Sequence, residues 1–170
     1  MHRPYVRAMD WLYLACMLIA GVSIVAMALI IAWGVYTRYV LSQGSFWAEP
    51  IAITLAVQMT FYGAAAGYRA NAHISIDSLV RLLPAGRPRA LADRLVDLLM
   101  LAMGLAMIWF GWGLVQTTYF QVYPEFQHIR VGAVYSAVPL SGVVLLLFVV
   151  ERMLFGTPPD LAPAAPAEAP

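Results

Sequence analysis

The side chains able to do chemistry are few, and they avoid the apolar interior of the chain. Cys16 is the single cysteine. It lies in an apolar run, where it forms no intrachain disulfide, builds no metal cluster and packs as a small hydrophobe. The three histidines, His2, His73 and His128, fall outside the apolar runs. A haem-binding bundle needs axial ligands inside the membrane, usually His or Met, and a methionine stripe is more often packing. Arg69, His73 and Asp77 stand at i, i+4 and i+8, one face if helical, and there His73 and Asp77 are placed to hydrogen-bond. A polar cap that turns the chain from a crossing helix to an interfacial one is the simpler reading, preferred to a proton-handling role. Arg38 and Glu49 bracket a short stretch with Trp47 beside the acid. They either pair across two neighbouring helix ends or act as separate anchors. A second polar stretch carries Glu125, His128 and Arg130. No Gly-rich phosphate loop, nucleophile–base pair or metal-ligand cluster is visible, so no catalytic, cofactor or metal residue is assigned and no enzyme activity is expected.

The elements that must position these residues are set by composition. Of 170 residues, 62% are hydrophobic and 11% charged, whereas a soluble domain carries roughly 25% charged residues. Lipid is the solvent that accepts such a chain. A net charge of +1 gives no field for nucleic acid. Four uncharged apolar runs, roughly 11–37, 50–68, 98–123 and 131–150, match the roughly 20 residues a helix needs to cross a bilayer. The first is too long for the apolar core of a secretory signal, and Val35-Tyr36-Thr37-Arg38-Tyr39 is a poor cleavage site, so it reads as a retained helix. Pro50 suits a first helical turn. Pro139 is expected to kink the fourth run or delay its start. Between the second and third runs, Arg69 to Asp97 mixes apolar and basic residues as an amphipathic interfacial segment does, broken at Pro84–Pro88. The fold class expected is an all-α integral membrane protein, with a four-helix domain over 1–156 and a disordered Pro/Ala-rich tail over 157–170.

All ten basic residues other than His are Arg. Eight of these (Arg3, Arg7, Arg69, Arg81, Arg87, Arg89, Arg94 and Arg152) fall on the side of the termini, and Arg38 and Arg130 on the other. The positive-inside rule then places both termini in the cytoplasm. The run interiors hold no charge, where a carrier working alone would show an ion or proton site. That absence points to a helper subunit. Small residues, Gly63 to Gly67 in the second run and Gly104, Gly111 and Gly113 in the third, allow close helix packing within the unit or against a larger membrane partner.

Short motifs in order along the chain strengthen this reading. Arg38-Tyr39-Val40 ends the first span and Trp47-Ala48-Glu49 opens the second. Gly63, Arg69, His73-Ile74 and Asp77 follow, then Leu82-Leu83-Pro84, and Tyr135 before Pro139. Over roughly residues 10–155 this pattern resembles the small, DctQ-type membrane subunit of tripartite ATP-independent periplasmic (TRAP) transporters. The family often has a second acid after Glu49, where this chain has Pro50. The resemblance implies a bacterial inner-membrane protein without cofactor that braces a large permease subunit. That large subunit takes up an organic acid with sodium, and a periplasmic substrate-binding protein delivers the acid. It also implies that the subunit helps dock the binding protein, and it makes Arg38, Trp47, Glu49, Arg69, His73 and Asp77 candidates for structure or partner contact; Glu125 and Arg130 join them because the outward loops, Ser42 to Glu49 and Phe120 to Arg130, are the sizeable surfaces the chain offers on that side. The competing readings are a membrane-anchor subunit of a redox enzyme complex and a free-standing small carrier.

Overall fold

A computed structural model describes residues 2–70, 87–123 and 126–155. Helix α1 is His2–Tyr39, α2 is Ala48–Arg69 and α3 is Arg87–Thr118. A small hairpin, β1 (Val122–Tyr123) and β2 (Phe126–Arg130), follows, then α4 (Val131–Tyr135) and α5 (Ala137–Phe155). Among the described residues, four segments are long and apolar enough to cross a membrane: Tyr5–Tyr39, Ala48–Arg69, Leu91–Thr118 and Val131–Leu154. The four-helix expectation therefore stands, and the limits of the elements move. At 1.5 Å per residue, the 38 residues of α1 measure about 57 Å, well beyond a hydrocarbon core of about 30 Å.

The sequence places an interfacial segment over Arg69–Asp97. Its second half, from Arg87, is instead the first turns of α3 and runs without a break into the third span. Pro88 does not interrupt this helix, because its missing N–H falls in the first turn, where no intrahelical partner is needed. Residues 71–86, with His73 and Asp77, lie outside the described residues. The third span closes at Thr118, earlier than the run of apolar residues. The stretch after it folds back as an antiparallel ladder pairing Val122 with Arg130 and Tyr123 with Phe126. In the fourth span Pro139 has no N–H to offer the Tyr135 carbonyl, and the helix breaks between α4 and α5 at Ser136. Gly132 lets this span start hard against the end of α3: a Cβ there would meet the Tyr119 Cα at 2.8 Å, a backbone atom with little room to move.

The helices pack in the order α1, α2, α5, α3, each mainly against its neighbours in that row. The α4–α5 span is consequently the inner one. In its most apolar window 44% of residues are buried, against 11% for α1 and for α3. The core gathers at the end of the row where α2 finishes: Met9 of α1, Ala65 and Tyr68 of α2, and Leu145, Phe148 and Val149 of α5. Cys16 is buried as a free thiol, as a packing residue would be.

Candidate functional site

At this end, hereafter the Arg69 end, each long helix contributes one or two charged or hydroxyl side chains to a buried network. Arg69, the last residue of α2, is 4% exposed, and Glu151 of α5 is 2% exposed. The Arg69 Nε donates to Glu151 Oε2 at 2.8 Å and its Nη2 to Oε1 at 2.9 Å, a two-pronged grip. The same Nη2 donates to Asp10 Oδ1 of α1 at 2.7 Å. The guanidinium also lies 5.5 Å from the ring centroids of Tyr13 and of Phe148, a favourable place for a cation. Beside it, the Tyr68 hydroxyl donates to Asp97 Oδ1 of α3 at 2.9 Å. Arg152 Nε reaches the same oxygen at 3.2 Å, and its guanidinium sits 5.5 Å from the Tyr68 ring. Two linked clusters thus tie α1 to α2, α2 to α5, and α3 to both α2 and α5.

Helix geometry accounts for the arrangement. Tyr68 and Arg69 are consecutive, about 100° apart around α2, and so address different neighbours, as do Glu151 and Arg152 on α5. Low dielectric at a buried helix end makes an unpaired charge costly, so each acid needs a donor. No buried polar side-chain atom among the described residues lacks a hydrogen-bond partner. A charge inside a membrane protein is by default a candidate transport site. Here the bidentate grip on Glu151 and the two donors on Asp97 make a clasp between helices rather than a site open to a passing ion. Of these residues the sequence singles out Arg69 alone. Asp10, Tyr68, Asp97, Glu151 and Arg152 were missed, although all of them lie at or just beyond ends of apolar runs on one side. Such a set of acids and bases at one depth is a signal for pairing.

The opposite end holds the other sequence candidates. Arg38 and Glu49 line one groove between α1 and α2, together with Phe46 and Ile53, yet no direct ion pair joins them among the described residues. The connection is held instead by Thr37, whose hydroxyl donates to the Gly34 carbonyl and bonds the Ser45 hydroxyl. Trp47 precedes α2 without a side-chain capping bond and remains partly exposed. Arg130 lies over the Tyr119 ring at 4.7 Å, which fixes the foot of the hairpin to the end of α3. Glu125 falls outside the described residues, as do His73 and Asp77, so the proposed helical face of Arg69, His73 and Asp77 is described only at Arg69.

Among the described residues no three His, Cys, Asp or Glu side chains gather as a metal site. The described residues form a membrane scaffold: four spans fastened at one end and apolar along their outer helices. No curated protein sequence matches the chain. The family model described as "Tripartite ATP-independent periplasmic transporters, DctQ component" matches residues 27–156, a stretch that takes in Arg38, Glu49, Arg69 and Glu151, and the chain belongs to that family.

Proposed function

We propose that this chain, a small permease component of a TRAP transporter by family, braces the large permease subunit in the bacterial inner membrane during sodium-coupled uptake of an organic acid. The observation that supports bracing is the uneven burial of the row. The helices at its two ends, α1 and α3, leave most of their apolar side chains uncovered, among them Leu18, Val22 and Leu29 on α1 and Leu98, Trp109 and Trp112 on α3. Lipid accepts such surfaces, and so does a partner helix. The clasp at the Arg69 end holds the row together while one face is engaged. Both termini lie in the cytoplasm on this reading, with the hairpin turned to the periplasm, where the substrate-binding protein docks on Arg130 and its surroundings.

Reconstitution tests this directly. Proteoliposomes with this chain, the large subunit, the binding protein and a sodium gradient are expected to take up substrate, and omitting any one is expected to abolish uptake. Uptake by this chain alone defeats the bracing role. In the same assay Arg130→Glu is expected to raise the binding-protein concentration needed for half-maximal uptake, with assembly of the two membrane subunits unchanged. An unaltered concentration removes the hairpin from docking.

A further inference from the structure

The groove between the far ends of α1 and α2 has a volume of about 630 Å³, and the bracing role does not use it. Gly34 and Ala48 make its floor, where the helices come so close that a Cβ on Gly34 would sit 3.2 Å from that of Ala48. Ile31 and Val35 run along α1 and Ile53 along α2, all exposed. Gly44 and Ser45, small residues of the connection, leave the mouth open. Arg38 stands on the α1 side of the mouth and Glu49 on the α2 side. Both are exposed, and neither is neutralised by the other. Tyr36, Tyr39, Phe46 and Trp47, all at least partly exposed nearby, mark the level of the headgroups, where aromatic residues concentrate.

We propose that this groove binds one phospholipid whose headgroup carries a primary ammonium, of the phosphatidylethanolamine type. The lipid phosphate accepts hydrogen bonds from the Arg38 guanidinium, which suits a phosphate's geometry. The ammonium, one short linker away, donates to the Glu49 carboxylate. An acyl chain lies along Ile31, Val35 and Ile53 toward the middle of the bilayer. A zwitterion with its two charges a few bonds apart satisfies both side chains at once. A lipid with phosphate alone satisfies only Arg38. A quaternary ammonium offers Glu49 no N–H donor. A groove continuous with the bilayer, apolar below and bipolar at its rim, matches the two-part chemistry of a lipid better than that of a soluble metabolite.

Native mass spectrometry of the full-length chain, delipidated in detergent and titrated with defined lipids, tests the assignment. Phosphatidylethanolamine is expected to bind more tightly than phosphatidylcholine or phosphatidylglycerol, and glycerophosphoethanolamine without acyl chains is expected not to be retained. Arg38→Gln is expected to weaken all three lipids, because all three have the phosphate. Glu49→Gln is expected to weaken phosphatidylethanolamine alone, by about three- to tenfold, the effect of losing one partly exposed charged hydrogen bond. Equal affinity of the wild-type chain for the three lipids overturns the proposal, as does unchanged phosphatidylethanolamine binding by a folded Glu49→Gln chain. Should either variant fail to fold, the wild-type ranking of headgroups decides by itself. A photo-cross-linker at Phe46 that captures the large subunit quantitatively in the assembled transporter also overturns it, since the groove is then a protein contact.

Discussion

Arg69 is shared between two acids of very different burial, and that contrast grades what each contributes. Glu151 is almost fully enclosed, whereas the Asp10 side chain is 56% exposed. Removing Glu151 leaves the buried Arg69 with the exposed Asp10 as its one remaining acid, so Glu151→Ala is expected to destabilise the chain by about 3 kcal/mol, the lower end of the range for breaking a buried pair. Asp10→Asn leaves the bidentate grip intact and is expected to cost about 0–1 kcal/mol, the range of an exposed pair. Replacing both buried partners with apolar side chains of similar volume, Arg69→Met with Glu151→Leu, is expected to cost less than Glu151→Ala alone, because the one charge then left without its partner, Asp10, is exposed to solvent. Unfolding in mixed detergent micelles measures all three. Equal losses for Asp10→Asn and Glu151→Ala show that burial does not set the energetics of the cluster. The value of the pairing is then in specificity, fixing which helix ends meet.

At the scale of elements, α3 and α5 approach closely because Gly111 has no side chain. A Cβ there would lie 2.9 Å from the Pro139 Cδ and 3.0 Å from its ring nitrogen, and the ring is rigid. Gly113, two residues on along the same helix, has nothing within 4 Å. Gly111→Ala is therefore expected to lower stability by about 1–3 kcal/mol through overpacking. Gly113→Ala is expected to be neutral, or to raise stability by up to about 1 kcal/mol, since alanine restricts the unfolded chain more than glycine does. Thermal unfolding of the two variants in the same detergent checks the pair. A stable Gly111→Ala chain would show that α5 slides freely along α3. Ser136 keeps helical dihedrals, φ −61° and ψ −19°, so α4 leads into α5 within one span, Val131–Leu154, and Gly132 lets its first turn meet the end of α3.

For the whole molecule, the distribution of Arg and the fold make one joint expectation about orientation. The clasp lies at the end to which the sequence assigns eight of the ten arginines, and the groove and hairpin at the end to which it assigns two. With the Arg-rich end in the cytoplasm, a reporter active only in the periplasm is expected to be silent when fused at Phe155 and active when inserted at Gly44. The opposite pattern reverses the orientation and places the groove and hairpin in the cytoplasm. The row arrangement has a consequence of its own: with the apolar sides of α1 and α3 uncovered, a closed four-helix bundle is not the finished structure, and lipid or a partner subunit completes it.

The amino-acid sequence by itself determined the number of spans and the class of protein. Crossing lipid requires an unbroken apolar run, and that is a property of consecutive residues such as Trp11–Thr37, readable without any knowledge of neighbours. It also determined the family, through motifs whose order along the chain is itself one-dimensional. Limits of elements were less legible. Asp93, Arg94 and Asp97 look like the end of an interfacial segment, yet they are turns of α3, because charges at a helix end are tolerated once the helix leaves the hydrocarbon or finds partners. Pairing was decided only by the tertiary structure. Arg69 and Glu151 meet across 82 residues, while Arg38 and Glu49, only 11 apart, do not pair. The reason is geometric: a short loop fixes how far apart two helix ends lie but not the direction in which each side chain points. A buried charge takes whichever opposite charge the packing of the four helices brings to its depth and its side of the helix.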